Sequence, residues 1–368
     1  KKFILYGKLD IEIGNDPVKS IVGQLDGPNI HIQILNLKHL FLIVRSPELS
    51  FGELYMNKEL KIKKGNLEDL MKFLMLNYNS WQSTNFGKIR KYLNDLKNFF
   101  STFNPIKKAK SNAAHHYDLN DDLFESFLDK RRQYSCGYFH SKNESLEDAQ
   151  INKVSRLVAK LQINKGNTVL DIGCGWGGLG LSIYNCNPST RITGITLSEK
   201  QHIYFNQLIK KNKLTGKVEC LLKDYRELDN EYDRIVSVGM LEHVGHHNFE
   251  KFFKFIENHL KPKGVAVIHS IGRYGLPTHT NPWLEKYIFP GGYLPTFSQM
   301  TNAIEKTSLK ITDIEVMRLH YAETLKKWRE KFFKNKSFLP KTYDEKFSRM
   351  WEFYLLASEY FFRSSGGM

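Results

Sequence analysis

The sequence predicts an α/β protein with two domains: a larger one built on a Rossmann-like parallel sheet, and a smaller α+β domain at the N-terminus. The 368 residues exceed what one ordinary hydrophobic core supports. From about residue 150, short apolar strands alternate with helices, which indicates a parallel sheet covered on both faces. Before about residue 85, the strand-like alternation lacks that regular repeat. We therefore expect domains at residues 1–105 and 106–368.

The N-terminal domain is predicted to combine short strands with one helix. Alternating apolar residues predict strands at residues 30–34 and 41–44. A helix is expected at residues 66–76, with Asn66 as its N-cap. The basic and sparsely apolar residues 86–112 are typical of a linker or an exposed helix.

The larger domain is predicted to alternate strands and helices. Strands are expected at residues 167–172, 191–197, 218–222, 233–238 and 264–270. Helices are expected between them at residues 178–185, 199–212 and 249–260. A further strand is expected near residues 311–319, followed by two aromatic-rich helices.

The composition is that of a globular protein with a strong positive charge. Hydrophobic residues make up 41% and charged residues 25%, which excludes a disordered chain. The net charge of +15 favours an anionic partner, either nucleic acid or an acidic lipid surface. No apolar run reaches the roughly 18–20 residues that span a bilayer. The four cysteines show no C-x-x-C pair, so a reduced cytoplasmic setting is expected.

A glycine-rich loop follows the first strand of the larger domain and precedes a helix. Glycines let the backbone turn sharply and approach a ligand closely, and the helix N-terminus offers free N–H groups. Gly173, Gly175 and Gly178 also fit the pattern of a dinucleotide site. However, Asp171 before the loop can face a cationic methionine group, and the second strand lacks the terminal acid of a dinucleotide site. The loop is therefore predicted to bind S-adenosylmethionine, with a ligand-free glycine turn as the alternative.

Several segments, taken together, resemble the cyclopropane-fatty-acyl-phospholipid synthase family, which includes the mycolic acid cyclopropane synthases. In the family's order, they are residues 134–139, the glycine loop, 194–201, 233–237, 242–245, 269–272, 287–292 and 320–321. The N-terminal part is similar to the extra domain of bacterial phospholipid-acting members. The resemblance implies a class I S-adenosylmethionine-dependent methyltransferase sheet. It also implies transfer of a methylene group to the cis double bond of unsaturated acyl chains in membrane phospholipids.

The resemblance further implies which residues surround adenosylmethionine. The matching positions are Tyr134, Ser135, Val169, Leu170, Asp171, Ile172, Gly173, Cys174, Gly175, Trp176, Gly177, Thr196, Leu197, Ser198, Glu199, Lys200, Gln201, Tyr225 and Arg226. Tyr225 and Arg226 match the pair beside the adenine, where mycobacterial members have Trp-Glu.

A bicarbonate ion beside the reacting carbon is also implied by the resemblance. Its matching residues are Cys136, Glu242, His269, Tyr321 and, through its backbone, Ile271. The double bond attacks the sulfonium methyl and becomes a carbocation, and a base then removes a proton so that the ring closes. Bicarbonate could accept that proton while Glu242 orients and relays it.

One residue departs from the family's pattern, and one group of histidines has no assigned role. Ser358 stands where some members have a cysteine, so base-assisted direct transfer is favoured over a covalent intermediate. The histidines at positions 115, 116, 243, 246 and 247 form no recognised zinc signature, so no metal is expected.

The expected partners are phospholipid acyl chains at an anionic membrane surface, with the protein peripheral at the inner face of the membrane. The N-terminal domain could pair two subunits in a homodimer. No nucleic-acid partner is expected, because no RNA-binding module is recognised. Two alternatives within methyl transfer stay open: a methyl-branching fatty acid methyltransferase and a small-molecule N-methyltransferase.

Overall fold

The computed structural model describes residues 4–82 and 121–364. These residues form two compact units, and each unit combines stretches that are separated in the chain. The first contains residues 4–82, 278–288 and 336–364, and the second contains residues 121–277 and 289–335. The predicted basic stretch at residues 86–112 lies outside the described residues. The division into a lipid-binding or accessory domain at residues 1–105 and an S-adenosylmethionine-dependent catalytic domain at residues 106–368 stays a prediction.

The two units contain strands and helices whose bounds are as follows. The strands are β1 (Tyr6–Ile13), β2 (Lys19–Val22), β3 (Leu25–Ile34), β4 (Leu60–Lys64), β5 (Thr168–Ile172), β6 (Arg191–Thr196), β7 (Val218–Leu222), β8 (Tyr232–Val238) and β9 (Leu260–His269). The helices are α1 (Leu37–Arg45), α2 (Pro47–Met56), α3 (Leu67–Gln82), α4 (Asp121–Phe127), α5 (Leu146–Leu161), α6 (Gly178–Cys186), α7 (Glu199–Lys211), α8 (Phe249–His259), α9 (Pro282–Tyr287), α10 (Phe297–Glu305), α11 (Arg318–Asn335) and α12 (Glu345–Ser364). Within these described residues, no helix is both long and apolar enough to cross a bilayer.

The first unit has a four-stranded mixed sheet in the order β2-β1-β3-β4. β1 runs parallel to β3, while β2 and β4 are antiparallel to their neighbours. Alternate residues of β3, namely Ile30, Ile32 and Ile34, are buried, as expected for a strand with one covered face. The late helix α12 contributes Leu355 and Leu356 to this unit's core, and both are fully buried.

The second unit has a five-stranded, fully parallel sheet in the order β7-β6-β5-β8-β9. Its strands alternate with helices, which confirms the predicted α/β class with a Rossmann-like sheet. The chain order of the strands reverses at β5, because β6 and β8 lie on its two sides. The carboxyl ends of parallel strands at such a point form a crevice where ligands bind.

Both faces of the parallel sheet are covered by apolar side chains. Leu170 and Ile235 belong to one core with the aromatic residues of α8. Val169 and Val236 belong to another core with residues of α5, α6 and α7. Successive residues of each strand therefore enter opposite cores, which explains why these strands are nearly continuous apolar runs.

The strand predicted at residues 41–44 is wrong, because these residues form part of α1. The Asn36 side chain caps this helix by accepting a hydrogen bond from the His39 backbone N–H at 3.1 Å. A short apolar run is compatible with either a strand or a helix, so the cap decides here. The helix predicted at residues 66–76 is confirmed but extends to Gln82. Asn66 accepts from the Asp69 N–H at 2.8 Å, as its predicted capping role requires.

The strand predicted near residues 311–319 is also wrong. Residues 308–317 are irregular, and Arg318 begins α11. Ion pairs attach this segment to α5: Arg156 lies 2.6 Å from Glu315, and Lys160 pairs with both Asp313 and Glu315. Its acidic side chains therefore bind a helix, while its apolar side chains, such as Ile314, stay exposed. The two predicted aromatic-rich helices are present as α11 and α12.

Candidate cofactor and catalytic site

The glycine loop connects β5 to α6 at the point where the strand order reverses. The backbone N–H groups of Gly173 and Cys174 both donate to the Ile195 carbonyl, at 3.0 and 2.9 Å. These bonds attach the loop to the end of β6. The loop therefore lies at the carboxyl edge of the sheet, as its strand-loop-helix pattern predicts.

Gly177 is required at the end of this loop for two reasons. Its φ of +84° lies in the left-handed region that side chains disfavour. A Cβ at this position would also lie 2.1 Å from Cδ2 of Phe205, which is a van der Waals collision. By contrast, a Cβ on Gly175 would meet nothing within 4 Å, so the middle of the loop faces open space.

Asp171 is a buried acid immediately before the loop, with 1% of its surface exposed. Its Oδ2 atom has no hydrogen-bond partner within the described residues. Burial raises the pKa of Asp171 to about 7, although the nearby Lys153 opposes the shift. An unpartnered buried carboxylate oxygen is costly unless a ligand or ion compensates it.

The end of β6 and the turn after it carry further residues that the family resemblance places around adenosylmethionine. Thr196 Oγ1 donates to Gln201 Oε1 at 2.7 Å. The Ser198 hydroxyl caps α7 by accepting from the Gln201 N–H at 3.3 Å. These bonds set the backbone of residues 196–201, so the turn from β6 into α7 has a defined shape beside the glycine loop.

Tyr225 and Arg226 form a short 3-10 turn after β7. Tyr225 is buried against Phe252 and Phe255, and burial raises its pKa to about 12. Arg226 makes two hydrogen bonds to Asp224, each at 2.7 Å. The buried Asp224 thus holds the arginine in place, a contact that the sequence patterns did not predict.

Tyr134 and Ser135 precede α5 in the chain. The Tyr134 ring packs against those of Phe127 and Trp328, with centroid distances of 5.6 and 5.1 Å. The Ser135 hydroxyl accepts a hydrogen bond from the Lys153 ammonium at 3.0 Å. Lys153 is almost completely buried, and the sequence patterns did not single it out. Its position on the inward face of the amphipathic helix α5 was the available signal.

Glu242 lies in a 3-10 turn just after β8 and is buried. Its Oε1 accepts from the backbone N–H of Ile271 at 2.6 Å, and its backbone carbonyl accepts from the Tyr293 N–H at 2.8 Å. Burial raises the pKa of Glu242 to about 7, although the Ile271 N–H lowers it. The carboxyl group can therefore gain or lose a proton near neutral pH.

His269 ends β9, next to the end of β8, because Val238 is its register partner. Its carbonyl accepts from the Gly239 N–H at 2.9 Å. Burial lowers the pKa of His269 to about 4, so its ring is neutral at pH 7. The Nδ1 atom has no hydrogen-bond partner in the part of the chain that the structure describes. Glu242, Ile271 and His269 thus form one group at the ends of β8 and β9.

Cys136 and Tyr321 belong to a second group, where the segment before α5 meets the start of α11. The Cys136 thiol lies 4.0 Å from the Met317 carbonyl, and the Gly137 N–H donates to Thr324 Oγ1 at 2.9 Å. The Tyr321 ring packs edge-on against Trp328 at 5.9 Å. Burial raises the pKa of Cys136 to about 12, so its thiol is protonated and is no nucleophile.

Within the described residues, no cluster of three or more histidine, cysteine or acidic side chains could hold a metal ion. Of the five histidines considered in the sequence, those at positions 115 and 116 lie outside the described residues.

Comparison with known families gives a match over most of the chain. The family model for mycolic acid cyclopropane synthetase matches residues 105–366. The chain belongs to the mycolic acid cyclopropane synthetase family. This confirms the resemblance seen in the sequence.

The chain is similar in sequence to relatives whose names describe lipid modification. It is 39% identical over 259 residues to "cyclopropane-fatty-acyl-phospholipid synthase" of Escherichia coli K12. That alignment covers 70% of the chain and 66% of the relative. It is 38% identical over 270 residues to "tuberculostearic acid methyltransferase UfaA1" of Mycobacterium tuberculosis H37Rv, covering 70% of the chain and 63% of the relative. The chain thus spans just under two thirds of the length of these relatives.

Several solved structures are similar in fold to this chain over most of their own length. The cyclopropane synthase MmaA2 from Mycobacterium tuberculosis has a TM-score of 0.67 and 30% identity, over 72% of this chain and 96% of that one. Mycolic acid cyclopropane synthase CmaA1, complexed with SAH and CTAB, has a TM-score of 0.66 and 30% identity over the same shares. Coclaurine N-methyltransferase, at 19% identity and a TM-score of 0.70 over 89% of this chain and 97% of that one, is similar in fold alone.

Proposed function

We propose that this protein is an S-adenosylmethionine-dependent methyltransferase that converts unsaturated acyl chains of membrane phospholipids into cyclopropane acyl chains. Family membership gives the reaction class. The observation that carries the proposal is the buried Glu242 carboxyl group, whose pKa of about 7 suits it to proton transfer at the end of β8. It lies at the carboxyl edge of the sheet, the edge that also carries the glycine loop.

The residues at this edge fit S-adenosylmethionine. Asp171 offers an unpartnered carboxylate oxygen, and Gly175 borders open space. The loop from Val169 to Gly177, the turn from Thr196 to Gln201, and the pairs Tyr134–Ser135 and Tyr225–Arg226 would hold the molecule. Adenosylmethionine supplies an electrophilic methyl group when bound.

Glu242 would orient the base and relay the proton that the reaction must remove. The acyl double bond would bond to the methyl carbon as the methyl–sulfur bond breaks and S-adenosylhomocysteine leaves. The substrate carbocation would then lose one proton of the transferred methyl group, and the ring would close. With a pKa of about 7, Glu242 is present in both protonation states at neutral pH, so it can take up a proton and release it. The Ile271 N–H stabilises the ionised form through its hydrogen bond to Oε1.

A bicarbonate ion fits the group formed by Glu242, Ile271 and His269, and would supply a base. Neutral His269 offers a ring N–H donor and carries an Nδ1 that is unpartnered within the described residues. A protonated Glu242 can donate from its Oε2, which also has no partner there. The Ile271 N–H already donates to Glu242, so it would orient the glutamic acid. Cys136 and Tyr321 are proposed as further contacts.

The remaining partners belong to the same proposal. The net charge of +15 would attract the protein to an anionic membrane surface, where it would meet phospholipid acyl chains. A cytoplasmic protein that is peripheral at the inner face of the membrane would meet them there. A homodimer would bring two copies to that surface.

One assay tests the proposed function. The full chain is incubated with S-adenosylmethionine, bicarbonate and vesicles of unsaturated anionic phospholipid, and the fatty acids are analysed by mass spectrometry. We expect acyl chains that have gained one CH2 and lost the double bond. Unchanged lipid, under conditions where S-adenosylhomocysteine binds, would contradict the proposed substrate while leaving the cofactor assignment intact.

A methyl-branching fatty acid methyltransferase is the second candidate. The observation in its favour is the 38% identity to the tuberculostearic acid methyltransferase. Such an enzyme shares the carbocation step but ends with a retained alkene or with a saturated methyl branch. Mass alone identifies a saturated branched product, which gains CH2 plus two hydrogens. A branched alkene has the same mass as the cyclopropane, so the fatty acids are also analysed after ozonolysis, which cleaves the alkene and leaves the cyclopropane intact. The similarity to the N-methyltransferase concerns the fold and adds no support for that activity.

A further inference from the structure

Lys153 is a buried lysine in the middle of α5, with 1% of its surface exposed. An ammonium group in the protein interior costs free energy unless hydrogen bonds and opposite charges compensate it. The groups that compensate Lys153 lie at the proposed cofactor site.

Hydrogen bonds join Lys153 to the segment that contains Tyr134 and Ser135, two of the residues proposed to hold adenosylmethionine. Its Nζ donates to Gln133 Oε1 at 2.5 Å and to Ser135 Oγ at 3.0 Å. One turn earlier on α5, Gln150 Nε2 donates to the Ser135 carbonyl at 2.8 Å. Helix α5 therefore sets the position of residues 133–135 through two buried side chains.

Charges join Lys153 to the start of the glycine loop. Burial lowers the pKa of Lys153 to about 8, while the carboxyl groups of Asp129 and Asp171 oppose that shift. In turn, the positive charge of Lys153 opposes the burial that raises the pKa of Asp171 to about 7. The charge of each group therefore depends on the other.

We propose that Lys153 is a positioning residue of the cofactor site: its buried ammonium group holds Gln133 and Ser135 and brings a positive charge near the Asp171 carboxylate. With that charge present, Asp171 is ready to bind the cationic amino group of adenosylmethionine. The inference rests on the proposed function, since it requires the cofactor to bind at the glycine loop. A lysine suits the role because its charge is compact and its stem is apolar.

Few other groups around this cluster change charge near neutral pH. Burial raises the pKa of Cys136 to about 12 and lowers that of His269 to about 4, so neither titrates between about pH 6 and 9. The pKa of Cys174, next to Asp171, lies well above its usual value because of its hydrogen bond to Cys220. Glu242, at the same edge of the sheet, also has a pKa of about 7, so the affinities are compared in the Glu242→Gln background. Changes in cofactor affinity over this range then report on Asp171 and Lys153.

The test is the pH dependence of S-adenosylhomocysteine binding, measured by calorimetry on the full chain. This ligand has the same amino-acid end as adenosylmethionine. We expect Lys153→Met to weaken binding about 10-fold at pH 7.5. The fall in affinity on the acid side should also move up by about one pH unit, because Asp171 loses its opposite charge. The matched control is Lys160→Met, which removes the same charge two turns later on α5, where Lys160 pairs with Asp313.

The outcomes separate this inference from the proposed function. If the wild-type protein does not bind S-adenosylhomocysteine, the cofactor assignment fails and the inference fails with it. If the wild type binds but Lys153→Met matches it within twofold, the inference alone is overturned. A loss of affinity that is equal at every pH would also overturn the charge role. Should Lys153→Met not fold, Lys153→Arg keeps the charge, and its acid-side midpoint must then match the wild type.

Discussion

Two buried carboxyl groups, each with an oxygen that has no partner among the described residues, lie at the proposed functional edge of the parallel sheet. Asp171 and Glu242 each expose less than a tenth of their surface, and burial raises both pKa values to about 7. Buried acids of this kind are costly for folding and are concentrated at sites that bind or react. Their positions, before the glycine loop and after β8, favour cofactor binding for Asp171 and proton transfer for Glu242.

Replacing Glu242 by glutamine should abolish most turnover while leaving cofactor binding intact. The amide keeps the shape of the side chain but cannot take up the proton, so we expect a loss of about 100-fold or more in kcat. S-adenosylhomocysteine affinity should stay within about threefold of the wild type. Lipid mass spectrometry and calorimetry measure the two quantities. The control is Glu305→Gln at the exposed end of α10, and wild-type turnover in Glu242→Gln would exclude the assigned role.

Alanine substitutions at Gly177 and Gly166 test whether the glycine loop needs a residue without a side chain beside Phe205. Both have positive φ values, +84° and +80°, but only Gly177 lies against Phe205. Gly166→Ala should cost about 1–2 kcal/mol for the backbone alone. Gly177→Ala adds a collision, so its cost should be larger by about 1–3 kcal/mol, with weakened cofactor binding. Urea unfolding measures both, and equal costs would mean that Phe205 moves aside freely.

At the scale of single elements, a helix cap and ion pairs explain why two segments with apolar residues do not form strands. Strands are predicted at residues 41–44 and near residues 311–319, yet the first segment lies in a capped helix and the second is irregular as far as Met317. In the second case, Asp313 and Glu315 bind basic side chains of α5. Such contacts join residues about 150 positions apart and cannot be inferred from local periodicity.

The N-cap of α3 offers a test at this scale. Asn66 accepts from the Asp69 N–H, and the Asp69 side chain accepts from the Asn66 N–H at 3.2 Å. Asn66→Ala removes the first of these bonds, so the free energy of unfolding should fall by about 1 kcal/mol. Lys72→Ala, at an exposed position of the same helix, should change it by less than about 0.5 kcal/mol. Equal effects of the two variants would show that the cap does not stabilise the helix.

At the scale of the whole molecule, each compact unit is assembled from separated stretches of the chain. The first unit needs residues 336–364, because α12 supplies buried side chains such as Trp351 to its core. The second unit carries the parallel sheet and all the residues assigned to the proposed site. Stability and function are therefore linked within that unit through its buried acids.

The buried acids should make the protein less stable as pH rises. Glu242 has a pKa of about 7 when folded, against a usual value of 4.5, so the folded state binds more protons between these two pH values. Its contribution to the free energy of unfolding therefore falls as pH rises through this window. Glu242→Gln lacks this loss and should exceed the wild type in stability by about 1–3 kcal/mol at pH 8.

Urea unfolding at pH 5 and pH 8 measures this effect. The stability difference between Glu242→Gln and the wild type should shrink at pH 5, where the wild-type carboxyl group is protonated in the folded state. Glu305→Gln, an exposed replacement of the same kind, should show no such change with pH. A difference that is the same at both pH values would contradict the raised pKa.

The sequence alone determined the parallel sheet, the glycine loop and the family, because each depends on local patterns. Apolar runs such as that of β5, and glycines at fixed spacing, are visible without any knowledge of distant contacts. The place of Asp171 before the glycine loop predicted a functional role for it, and the family resemblance implied one for Glu242. Which carboxyl oxygens lack partners, and why their pKa values are raised, could not be read from those patterns.

Only the tertiary structure decided how α12 joins the first unit, why residues 308–317 form no strand, and that Lys153 is buried against Ser135. The physical reason is common to all three. Burial and electrostatic coupling depend on residues that are distant in the chain and close in space, so they arise only when the elements pack. A lysine in a helical pattern looks like a solvated side chain until packing surrounds it.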